Sequence, residues 1–191
     1  MLHQVKFAVP FVDGPPPGCY RFRDAASTNL HIVNQRDGCM DGPGIVWAVG
    51  RFGTVLRWDG ARVERVDLGH HGVDFQAIHG SSPEDIWIVG DEGVVLHFNG
   101  ADWVERPITS HVRWLMDVWV TPGGNVWAVG SAYEYVDDGS GFYPVAHLWD
   151  GAAWSDESPG LPSWLNGLFC SSDGTLWAVG TDGTLITRPR P

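Results

Sequence analysis

Lysine is almost absent from this chain. Lys6 is the only one among 12 basic residues, and arginine supplies the rest. Basic charge is short overall, with 12 Lys+Arg against 23 Asp+Glu and a net charge of -11. So acidic a surface repels phosphate backbones and argues against nucleic acid as a partner. No apolar run approaches the roughly 20 residues of a helical membrane span, so no membrane insertion is expected. Cysteine is scarce. Cys19, Cys39 and Cys170 include no CxxC pair, which excludes a cysteine-built zinc site. They read as three separate thiols with Cys170 buried in a strand, although Cys19 and Cys39 could pair in an oxidising compartment. The first residues, MLHQVKFAVPFVDGPPPG, lack a secretory pattern. Their apolar stretch is short and is broken by Pro10 and by Pro15 to Pro17, so the expected compartment is the cytoplasm, with non-standard export as the alternative. Catalytic signatures are missing too. There is no GxSxG elbow, no HExxH, and no GxGxxG opening a helix. No catalytic residue and no cofactor are expected, and an enzyme is the less favoured class.

Apolar residues and glycine are plentiful. The chain is 43% hydrophobic, with 25 Gly and 11 Trp, which is ample for a packed core and excludes disorder over most of its length. These residues recur in order. WAVG or WIVG appears four times, beginning at Trp47, Trp87, Trp127 and Trp177, at spacings of 40, 40 and 50 residues. The long interval is explained by extra residues, SAYEYVDDGSGFYP, between Gly130 and Ala146. The likeness extends past the tetrapeptide: GIVWAVGRFGTVLRWDGARV (44–63) matches EDIWIVGDEGVVLHFNGADW (84–103) throughout.

Each unit reads as short antiparallel strands. WAVG is a β-rich run bounded by glycine, and a turn ending in Gly follows it (RFG, DEG, TDG), with Gly in the left-handed position. The next strand ends at Asp59-Gly60, Asn99-Gly100 or Asp150-Gly151, dipeptides that predict hairpins with both central residues at positive φ. A third strand follows. A further strand precedes each WAVG, at 75–80, 114–120 and 164–170, with 30–35 as its counterpart in the first unit. Four strands per unit of about 40 residues are the signature of a β-propeller, because one small sheet cannot cover its own apolar faces and neighbouring sheets can.

The expected fold is therefore all-β: a single small β-propeller domain over 1–191, with repeat units at about 29–68, 75–108, 114–159 and 164–188. Four blades are expected, the last completed by an N-terminal strand at 5–12. Five blades, with 1–28 forming a degenerate one, or an array closing only by oligomerisation, are the alternatives.

SSDGTLWAVGTDGTL (171–185) resembles the repeat of the two-component-regulator propellers and is similar to the photosystem-assembly-factor type of repeat. Similar WAVG arrays occur in bacterial proteins. The resemblance covers 44–188 and implies a propeller with a binding or scaffolding role and no catalytic residues. The pattern departs from WD40 repeats, since a companion Gly-His occurs only at Gly69-His70, and from true Asp-boxes, whose full spacing SSDGTLW lacks.

Residues present in every unit are structural. Trp47, Trp87, Trp127 and Trp177 are expected between blades, and His97 is expected to be an unremarkable outward position. Residues that break the repeat are the candidates for binding. The loops leading into the first strands and the turns after WAVG share one end of a propeller. That end collects His70, His71, His111, Arg113, Trp114, Trp164, Tyr133, Tyr135, Asp137 and Asp138, with Asp91 and Asp182 near them. Aromatics with a few polar groups suit a peptide, a sugar or another small polar ligand. The plainer alternative is a solvated acidic rim. A metal held by His111 and one of His70 and His71 is not expected, because adjacent residues on an extended chain point opposite ways. The favoured function is a non-enzymatic module binding a protein partner, and the alternative is a carbohydrate-binding or carbohydrate-processing propeller.

Overall fold

A computed structural model describes residues 30–34, 45–59, 61–108, 112–136, 139–171 and 173–188. The strand expected at 5–12 lies outside them, as do Cys19, Cys39, His111, Asp137 and Asp138. Fifteen strands form four antiparallel sheets, and no α-helix occurs among the described residues. The first sheet holds β1 (Leu30–Asn34), β2 (Val46–Gly50), β3 (Thr54–Trp58) and β4 (Val63–Arg65). The second holds β5 (Phe75–Ser82), β6 (Asp85–Gly90), β7 (Val95–Phe98) and β8 (Trp103–Glu105). The third holds β9 (Val112–Val120), β10 (Val126–Val136), β11 (Gly139–Trp149) and β12 (Trp154–Asp156). The fourth holds only β13 (Leu165–Cys170), β14 (Leu176–Gly180) and β15 (Leu185–Arg188). Strands are hydrogen-bonded in chain order within every sheet, and WAVG is always the second strand. This is the meander of a propeller blade.

The two turns of the unit differ from expectation in instructive ways. After WAVG, the left-handed region holds two residues rather than one: Phe52 and Gly53, Glu92 and Gly93, and Asp182 and Gly183 all have φ between 54° and 73°. Thr54, Val94 and Thr184 close these turns by donating to the carbonyls of Arg51, Asp91 and Thr181. In the Asp-Gly and Asn-Gly turns, by contrast, only glycine takes positive φ, shown by Gly100 at 93° and Gly151 at 102°. The preceding side chain caps the turn instead. Oδ1 of Asp59, Asn99 and Asp150 accepts from the amides two and three residues on, at 2.8–3.0 Å. A short carboxylate or carboxamide satisfies both amides without entering the left-handed region. The same bonds hold the Asp59 and Asp150 carboxyls below the ordinary carboxylate range.

The sheets pack face to face in chain order. Trp47, Val49 and Val55 of the first sheet meet Ile78, Ile86, Ile88 and Leu96 of the second. Trp87, Val89 and Val95 of the second meet Val118, Val120, Val126 and Ala128 of the third. Trp127, Val129 and Ala146 of the third meet Leu168, Leu176 and Ala178 of the fourth. Indole rings fill the seams. Trp47 lies 5.9 Å from Phe98 and 5.4 Å from Trp103 of the next sheet. Trp87 repeats this with Trp149 at 5.9 Å and Trp154 at 6.0 Å. Trp127 meets no such pair, because the fourth sheet has no fourth strand among the described residues. The Arg188 guanidinium covers it at 4.8 Å instead, tied to Glu157 by a 2.6 Å ion pair. A cavity of about 160 Å³ remains beside it, lined mainly by apolar residues such as Leu165, Leu168 and Ile186.

Polar clasps link the first strands across the seams. His79 Nδ1 accepts from the Val120 amide at 3.0 Å, and Asp117 Oδ2 accepts from the Leu168 amide at 2.6 Å. Burial raises the Asp117 carboxyl from 3.8 to about 6, against the opposing effect of the Leu168 and Val118 amides. The folded state therefore holds this proton more tightly than the unfolded chain. The associated stability is full below about pH 3.8 and is lost as pH rises through about 6. At about 1.4 kcal/mol per pH unit, its ceiling is about 3 kcal/mol. Urea unfolding between pH 4 and pH 7 should show the native chain losing stability relative to Asp117→Asn over this window, with the two curves parallel above pH 7. A constant difference across the whole range contradicts this account of Asp117.

Candidate functional site

The extra residues of the third unit are strand, not loop. β10 and β11 stay in register from Val126↔Trp149 out to Val136↔Gly139, so the hairpin runs 11 residues per strand where β2 has five. The alternation in SAYEYV carries this signal in the sequence. The extension projects from the end of the third sheet that faces the turns after WAVG.

One feature of the repeat places the aromatics there. In β9 and β13 a bulge lies next to a residue whose carbonyl sits over the WAVG glycine, inside the strand in β9 and just before it in β13. In the third sheet that residue is Trp114, and in the fourth it is Trp164. The two tryptophans are thus equivalent positions in adjacent sheets. Phe142 of the hairpin stands between them, 5.5 Å from each ring, and packs on Tyr133 at 4.9 Å. Trp114 is also bridged through its backbone to Asp91 in the turn of the second sheet. Phe142 remains 46% exposed and Trp164 39%, and Tyr143, which follows Phe142, is exposed as well.

Three of the expected site residues, Trp114, Tyr133 and Trp164, are therefore gathered around a fourth ring, Phe142, that is not among the expected ones. Phe142 lay inside the insertion, and its cross-strand pairing with Tyr133 is legible only once the insertion is read as a hairpin. The histidines go elsewhere. His70 faces Glu105 at 3.3 Å and lies edge-on to Phe75, while His71 faces Asp67 at 3.6 Å. Neither joins the aromatic cluster. Arg113 lies in β9 and Tyr135 in β10. Among the described residues no group of three or more His, Cys, Asp or Glu is gathered as a metal site would require.

The first seam is built differently at this end. Asp74, equivalent to Trp114 and Trp164, accepts from the Phe52 amide at 2.9 Å and faces Arg51 at 3.4 Å. Asp91, half-buried beside it and accepting from Gln76 Nε2 at 2.8 Å, has its carboxyl raised chiefly by burial. His97 is not an unremarkable position. Its ring stacks on Trp87 at 4.1 Å, and its Nε2 lies 2.8 Å from Asp85 Oδ1, which also accepts from Trp87 Nε1. The histidine, foremost among the causes, holds the Asp85 carboxyl below its ordinary range. Only Asp85, which the other copies lack at that position, could have marked His97 in the sequence.

No family model and no curated protein matches the chain. Among solved structures, the computationally designed Ika4 protein is similar over 77% of this chain and 86% of its own, at 19% identity and a TM-score of 0.54. That likeness establishes the fold alone. YCF48 bound to D1 peptide is similar over 94% of this chain and 68% of its own, at 16% identity and a TM-score of 0.46. YCF48 from Cyanidioschyzon merolae is similar over 93% and 69%, at 15% identity and a TM-score of 0.43. Among the described residues no helix is long and apolar enough to cross a membrane.

Proposed function

We propose that the chain, with four blades, is a non-enzymatic binding module that captures a protein segment at its hairpin-bearing end. The observation that carries this reading is Phe142, held half-exposed among Trp114, Tyr133 and Trp164 on a projecting hairpin. Leaving large rings in water is costly, and partly exposed aromatic clusters on rigid strands are what protein interfaces use as anchors. The rings are tilted 42–71° to one another. They form a ridge with clefts between rings rather than the flat platform on which a sugar ring stacks, which favours a peptide side chain over a carbohydrate. The hairpin also offers backbone: β12 pairs only with His147 to Trp149, so the outer edge of β11 nearer the tip has no strand beside it among the described residues. An extended peptide can add there by main-chain hydrogen bonds.

Panning a random-peptide display library on the folded chain tests this. Selected peptides are expected to bind the native chain and to lose about 30-fold in affinity against Phe142→Ala, the effect of an aromatic anchor worth about 2 kcal/mol. Deleting 131–144 should abolish binding while the far-UV spectrum keeps its β-sheet form. Peptides that bind both variants unchanged, or a glycan array with hits that the same variants remove, overturn the reading.

A further inference from the structure

Among the described residues, the third seam lacks a ring that the first two have. In the second seam Trp87 meets Trp149, at the end of β11, and Trp154, in β12. The Arg106 guanidinium lies over Trp149 at 5.7 Å, and the Arg106 carbonyl accepts from Trp154 Nε1 at 2.9 Å. Register carries each of these places into the third seam. Arg188 is paired with Leu176 as Trp149 is with Val126, so it stands where Trp149 stands. The Glu157 amide donates to the Ala146 carbonyl as the Arg106 amide does to that of Val95, so Glu157 stands where Arg106 stands. The ion pair of Glu157 with Arg188 thus takes over from the contact of Arg106 with Trp149. Trp154 alone has no counterpart among the described residues. The cavity of about 160 Å³ lies there, bounded by Trp127, Glu157 and Arg188 and walled by aliphatic side chains of both sheets.

We propose that this cavity is a binding site for a small uncharged indole, seated against Trp127 as the Trp154 ring is seated against Trp87. The second seam identifies the ligand. There the equivalent space is filled by an indole that lies at 87° to the repeat tryptophan and gives its N–H to a backbone carbonyl. The corresponding acceptor in the third seam is the Glu157 carbonyl. Size agrees, since an apolar cavity of about 150 Å³ stays dry and takes up benzene. The walls come from both sides of the seam, Val129 and Ala146 from the third sheet and Leu168, Leu176 and Ile186 from the fourth. A free ring is therefore held on both sides with no strand to carry it. The ligand is uncharged because Glu157 and Arg188 already neutralise each other, and a further charge among these apolar walls would go unpaired.

Fluorine NMR of the full 191-residue chain carrying 5-fluorotryptophan, titrated with unlabelled indole, tests the inference. The Trp127 resonance should move saturably, with a Kd below about 1 mM, while those of Trp47 and Trp87 stay still. Ala178→Ile should abolish the response. Ala178 lines the cavity, and the second sheet carries Ile88 at the same place in its own WIVG, so the fold accommodates the added carbons. Unchanged Trp47 and Trp87 resonances show that this variant remains folded. 1-Methylindole, which has no N–H to give, should bind about 5-fold more weakly than indole. A Trp127 resonance unmoved at about 5 mM indole overturns the proposal, and is the result if a ring from outside the described residues already fills the space. Equal movement of all three resonances overturns it too, as does binding that survives Ala178→Ile or 1-methylindole binding as tightly as indole.

Discussion

Replacing Gly130 by alanine should cost about 3–5 kcal/mol of stability, at the upper end for single substitutions. A Cβ at Gly130 would lie 1.9 Å from the carbonyl oxygen of Trp114 and 2.9 Å from the Leu115 Cα. Both are backbone atoms of the neighbouring strand, so no side-chain rotation relieves the clash. Gly90 and Gly180 meet the carbonyls of Asp74 and Trp164 in the same way, at 2.4 Å and 2.0 Å. This explains why the fourth residue of WAVG is glycine in these copies: the bulged first strand of the same sheet lies against it. Denaturant midpoints should fall steeply for Gly130→Ala. They should stay within about 0.5 kcal/mol of native for Gly72→Ala, where a Cβ meets nothing within 4 Å. Equal effects at the two sites contradict this explanation.

Trp87→Ala should also cost about 3–5 kcal/mol, the range for removing a large aromatic from a core. Its ring is 2% exposed, stacks on His97 at 4.1 Å and meets Trp149 and Trp154 across the seam. The substitution also leaves Asp85 without the Trp87 Nε1 donor. Trp177→Ala at the matching repeat position should cost clearly less, because that ring is already 36% exposed. Chemical denaturation of the two variants gives the comparison, and equal losses contradict it.

The fold was largely legible because its determinants are local and repeated. The WAVG spacing placed β2, β6, β10 and β14, and the turn glycines set the strand ends. The turns are less uniform than their glycines suggest, since Asp59, Asn99 and Asp150 satisfy the amides that follow by side-chain capping rather than by two left-handed residues. The candidate site was legible in part. Trp114 and Trp164 stand out because they replace Asp74 at an equivalent position, and that substitution is visible in the repeat. Phe142 was hidden because its importance lies in a cross-strand pair with Tyr133, which depends on register and not on residue type. His97 and Asp117 act through partners 12 and 51 residues away. Spacing within a repeat carries no record of such contacts.

The repeated tryptophans Trp47, Trp87 and Trp127 are the seam residues of successive sheets. Fluorine NMR of the 5-fluorotryptophan-labelled chain tests it directly, with resonances assigned by single Trp-to-Phe variants and solvent access read from the shift between H₂O and D₂O. Trp47, Trp87 and Trp127 should show no solvent shift, and Trp177, 36% exposed, should show one. A solvent-exposed ring at any of the first three positions contradicts the account.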